Sequence, residues 1–167
     1  MINVKKARII LISLLVLWMS VIFIMSAQPA EESSQLSGGI VSSLIAAICR
    51  NFDTLSAQQQ LEITNIVTFI VRKTAHFSEY FVLGVLVSLI ATTFNKLNYK
   101  LRFGLSIAFC VLYAASDELH QYFVPGRACR LTDICIDATG GAIAVLLVTI
   151  IVYKLRQRLC KKCVKAS

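Results

Sequence analysis

His76 and His120 are the only histidines in the 167-residue chain, and each lies within three residues of a carboxylate. Imidazole is the side chain whose ordinary pKa falls near neutrality, so such pairs can pass protons. Lys73, His76 and Tyr80 step by three and four, with Glu79 beside them. Asp117 and Glu118 precede His120 and Gln121, and Asp133 and Asp137 stand four apart, with Arg127 between the last two groups. On helices, each set forms one polar stripe. Three kinds of chemistry fit these residues. His76 or His120 can act as acid or base, oriented by Asp117 or Glu118, on a phosphate held by Lys73 and Arg127. The same groups, with Glu79, Tyr80, Gln121, Asp133 and Asp137, can instead bind a lipid headgroup or cell-wall precursor without turnover. Or they close a hydrogen-bond network that fixes helix packing. The stripes lack a compact metal motif such as H-E-x-x-H, so no metal ligands are assigned, and the residues leave the cofactor unknown.

The elements that must carry these stripes are apolar. Hydrophobic residues make up 57% of the chain and charged ones 16%, well under the roughly 25% of a soluble domain. Crossing a bilayer takes about 20 apolar residues, which leaves room for one all-α membrane domain of about four spans, at about 9–26, 73–95, 103–123 and 134–153. The apolar run Ile9 to Met25 is 17 residues, longer than the roughly 7 to 15 of a signal peptide, and is read as an uncleaved first span serving as scaffold. Leu36 to Ile48 is too short to cross and is expected to lie at the interface within an outer segment, 36–70. Ser56 and Gln59 have the spacing of a capping box, and Pro125-Gly126 marks a turn. Trp18 reads as packing, and Gly140-Gly141 as a point of close helix approach.

Orientation follows from charge. Of 17 Lys and Arg, 12 fall in the N-terminus, the loop Asn95 to Arg102 and the tail 154–167. The positive-inside rule then predicts cytoplasmic termini in a bacterial plasma membrane. The +8 net charge is thereby an orientation signal, and no nucleic-acid partner is expected. Cys160-x-x-Cys163 in the tail lacks a second ligand pair and reads as ordinary thiols.

Counting from the cytoplasmic charges, Tyr80 to Asn95, Phe103 to Ser116 and Ala138 to Tyr153 are uncharged runs of 16, 14 and 16 residues. At about 1.5 Å per residue, these runs bring Glu79, Asp117 and Asp137 to one level. A charge at mid-membrane costs about 2.5 to 3.5 kcal/mol, which favours a shared polar pocket toward the outer face.

Three motifs, R-K-T-A-H-F-S-E-Y-F-V-L-G from Arg72, S-D-E-L-H-Q-Y-F-V-P-G-R from Ser116 and D-I-C-I-D-A-T-G-G from Asp133, resemble the VanZ family. That resemblance implies a small multi-pass bacterial membrane protein linked to teicoplanin susceptibility. It also implies that Lys73, His76, Glu79, Tyr80, Asp117, Glu118, His120, Gln121, Pro125, Gly126, Arg127, Asp133, Asp137 and Gly140 matter. It supplies no reaction.

Overall fold

The computed structural model describes residues 4–94 and 96–166. Asn95, where the sequence reading ends the second span, lies outside the described residues, as do the side chains of Glu31, Glu32, Cys160 and Cys163. Among the described residues the chain is all-α: α1 Val4–Ser26, α2 Ala30–Ile48, a short 3-10 turn Phe52–Thr54, α3 Ala57–Thr92, α4 Tyr99–Gln121 and α5 Leu131–Ala166.

Three of these helices are long and apolar enough to cross a membrane: α1, α3 and residues Leu131–Leu159 of α5. Their outward faces fit a lipid solvent. Ile9 is 65% exposed, Leu17 62% and Leu112 of α4 70%, and a water-soluble bundle would not present so continuous an apolar surface. α4 has 23 residues, but Lys100, Arg102, Asp117 and Glu118 confine its uncharged stretch to 103–116.

Local sequence explains the helix ends. The Ser56 hydroxyl accepts from the Gln59 amide at 3.4 Å, while the Gln59 side chain accepts from the Ser56 amide at 3.1 Å. This is the expected capping box, and it starts a helix of 36 residues. Gln60 fastens the preceding turn to α3 by donating to the Phe52 and Leu55 carbonyls. Removing the cap by Ser56→Ala is expected to cost about 1 kcal/mol, measurable as faster amide exchange confined to the first turn of α3.

Some boundaries differ from those read in sequence. α2 begins at Ala30 and runs through the polar stretch Glu31 to Gln35, because Pro29 cannot continue α1 but its fixed φ leads into a new helix. The Asn98 side chain accepts from the Leu101 amide at 2.8 Å, so α4 takes in Lys100 and Arg102. No glycine or proline follows Gly141, and α5 continues through the basic tail.

Glycines set how closely the helices pack. A Cβ on Gly84 would lie 2.5 Å from the Gly141 carbonyl oxygen, one on Gly141 2.8 Å from Cys110 Cβ, and one on Gly140 would collide with the Phe77 carbonyl. The pair Gly140-Gly141 therefore permits the close approach expected of it, joining α5 to α3 and α4. Beside this seam Ile22, Tyr80, Leu83, Val87 and Ala114 form the buried core.

The bundle has two chemically opposite ends. At one, Arg8 of α1 donates to the hydroxyl and carbonyl of Thr93 at 2.9 and 2.8 Å and lies over the Phe94 ring, with Arg102, Lys154 and Arg156 nearby on α4 and α5. At the other end stand the carboxylates of α3, α4 and α5.

Candidate functional site

The site is assembled by four helices and one turn. Glu79, Asp117, Glu118 and Asp133 all lie close enough to Asp137 to act on it electrostatically, although the five come from three helices. Asp117, Glu118 and Asp137 are 4%, 1% and 1% exposed, so each needs a partner within the protein or a ligand.

Asp117 has partners. The Ser26 hydroxyl donates to its Oδ2 at 2.9 Å and Gln121 Nε2 at 3.1 Å. Arg127 Nη1 then donates to Gln121 Oε1 at 3.2 Å, and its Nε to the Gln28 carbonyl at 3.0 Å. This chain of hydrogen bonds links a buried carboxylate to a guanidinium nearer the surface. Arg127 is aimed by the Pro125-Gly126 turn, in which Gly126 has φ 73° and the Arg127 amide donates to the Val124 carbonyl at 3.1 Å. Only glycine adopts that φ without strain.

Glu118 is used differently. Its Oε1 accepts the Arg130 amide at 2.7 Å, fixing the chain as it enters α5. Lys73 forms an ion pair with Asp133 and lies 5.4 Å from the Phe69 ring centre. Packing thus accounts for these two groups in part.

Elsewhere the site is unsatisfied. His76 Nδ1 lies 3.9 Å from Glu79 Oε2 and 4.0 Å from Asp137 Oδ1, both too long for direct hydrogen bonds and suited to a bridging water. His76 Nδ1, the Tyr80 hydroxyl and both Asp137 oxygens are buried without hydrogen-bond partners among the described residues. His120 is separate, stacked on Phe23 with ring centres 4.3 Å apart and its own Nε2 unpartnered. No hydrogen bond or ion pair links the two histidines.

Two cavities open here. One of about 340 Å³ is lined by Arg72, Lys73, Gln121, Arg127, Arg130 and Asp133. The other, of about 210 Å³, is lined by His76 and Glu79 with Ser26, Gln28, Arg72 and Arg127. Arg72 and Arg127 face both, so an anion at the guanidinium groups would sit next to the His76 cavity. Tyr80, Asp117, Glu118 and Asp137 line neither cavity. Among the described residues, no three His, Cys, Asp or Glu side chains are grouped to hold a metal ion.

The model of the VanZ/LLP1 family matches residues 11–152, a range that includes every element of this site. The chain belongs to the VanZ/LLP1 family. Searches of curated proteins and of solved structures returned no match. The three motifs quoted from the sequence all fall inside the VanZ/LLP1 match.

One expectation needs correction. The first span is more than scaffold: α1 supplies Ser26 to Asp117 and Phe23 to His120. Trp18, read as packing, also donates from Nε1 to the Glu79 carbonyl at 2.9 Å. Arg72 and Gln28 join the site as well, beyond the residues that the stripes mark. Arg72 carries a signal, being the cation next to Lys73, whereas nothing in the sequence marks Ser26 as a partner of a residue 91 positions away.

Proposed function

We propose that this VanZ/LLP1 protein binds the phosphate-bearing headgroup of an envelope lipid or lipid-linked cell-wall precursor, and thereby alters susceptibility to glycopeptide antibiotics of the teicoplanin type. The observation that carries the reading is the charge balance of the larger cavity. Its four cations face one acid, Asp133, which Lys73 already engages. Three guanidinium groups remain in excess, and guanidinium is well matched to phosphate oxygens.

In this reading α4 also crosses the membrane, as the third of four spans in chain order, and α2 with the start of α3 lies at the outer interface. Both chain termini are then in the cytoplasm of a bacterial cell. The segregation of charge between the two ends supports this arrangement, since the basic end carries the start of α1 and the end of α5. The packing of α4 against both α3 and α5 supports it too.

A second reading has its own support. The unpartnered His76 Nδ1, between two carboxylates and beside the cation cavity, suits acid-base chemistry on the bound phosphate, as in a hydrolase or transferase of lipid-linked substrates.

The test is native mass spectrometry of gently solubilised wild-type protein beside Arg127→Gln and the double variant His76→Ala, His120→Ala. Arg127→Gln is expected to lower occupancy of a co-purifying phospholipid or precursor roughly tenfold and to abolish any teicoplanin phenotype of the expressed wild type. If the histidine variant keeps its ligand but accumulates an uncleaved form, the enzymatic reading gains. Equal occupancy in wild type and Arg127→Gln would end the binding proposal.

A further inference from the structure

The opposite end of the bundle holds a further cavity, which the proposed function does not use. It measures about 480 Å³ and lies between the end of α3, the start of α4 and the C-terminal half of α5. Its cations are Arg102, Lys154 and Arg156, and among the described residues no acid lines it. Asp117 is fifteen residues along α4 from Arg102, roughly 22 Å at the helical rise, far too distant to pair with it.

Arg102 is the telling residue. Its Nε is buried without a hydrogen-bond partner among the described residues, and a buried guanidinium donor left unmatched is costly. It projects from the start of α4 into the cavity wall. The rest of the wall mixes Ala91, Ile150 and Val152 with the uncharged polar side chains of Ser88, Thr92, Thr149 and Gln157, a lining that suits the glycerol and upper acyl region of a lipid better than a fully solvated ion.

We propose that this cavity binds the phosphate of an anionic phospholipid from the adjoining leaflet, with Arg102 as the buried contact and Lys154 and Arg156 at the rim. The site is independent of the carboxylate-end cavity and stands or falls separately from it.

The experiment uses full-length protein carrying Arg127→Gln, so that the other cation cavity contributes little. It is titrated separately with phosphatidylglycerol, phosphatidylcholine and inorganic phosphate, and bound species are counted by native mass spectrometry. Phosphatidylglycerol is expected to stay bound where phosphatidylcholine is lost, and adding Arg102→Gln is expected to weaken it roughly tenfold. The exposed pair Lys154→Gln, Arg156→Gln should weaken it in the same direction, and carries the test if Arg102→Gln fails to fold. Equal retention of the two lipids, or phosphatidylglycerol binding unchanged by the cavity substitutions, would overturn the proposal. Inorganic phosphate binding as tightly as phosphatidylglycerol would overturn the lipid occupant in favour of a free anion.

Discussion

Gly140→Ala will loosen the contact between α3 and α5 at a cost of about 1 to 3 kcal/mol, the range for overpacking a close contact. The added Cβ meets the Phe77 carbonyl, a backbone atom that cannot rotate away as a side chain would, so the helices must separate. Phe77 adjoins His76, and Asp137 lies one turn before Gly140. The separation therefore also widens the gap between imidazole and carboxylate. The control is Gly104→Ala, where nothing lies within 4 Å of the added atom and alanine's better helix propensity should leave stability equal or slightly higher. Unfolding of both variants in mixed micelles measures the difference. Equal behaviour would mean that α5 does not seat on α3 as described.

Lys73→Met is expected to destabilise the bundle by about 1 to 3 kcal/mol, between the values for exposed and fully buried ion pairs. The two side chains are 18% and 16% exposed, and the change strands the Asp133 carboxylate. Most of the loss should return in Lys73→Met, Asp133→Leu, which removes both charges. A double-mutant cycle on unfolding gives the coupling. The same double variant separates two roles of Lys73. If Lys73 serves only to hold α3 against α5, phospholipid occupancy survives through Arg72, Arg127 and Arg130; if it contacts the headgroup, occupancy falls even though stability has recovered.

Features that depend on a few consecutive residues were legible in the sequence. The Ser56 and Gln59 capping box, the Pro125-Gly126 turn and the close approach at Gly140-Gly141 each express a local rule of backbone or side-chain geometry, and the three motifs pointed to the family. The stripes showed which residues share a helix face, because the helical period fixes that. They did not show which stripe faces which, because helix rotation and vertical register are set by packing between segments remote in sequence. Nothing local told Lys73 to choose Asp133, or sent Glu118 to the Arg130 amide. The reading of α1 as scaffold alone had the same cause: Ser26 and Trp18 acquire their roles only when α1 is set against α3 and α4.

The Trp18 contact has a spectroscopic consequence. This is the only tryptophan in the chain, and its indole N–H is tied to the carbonyl of Glu79, one of the carboxylate residues at the candidate site. Indole emission shifts with the hydrogen bonding and polarity around the ring, so the unlabelled protein carries an intrinsic fluorophore at the junction of α1 and α3. A ligand that displaces α3 there would change the emission colour, whereas one confined to the basic end would leave it unchanged.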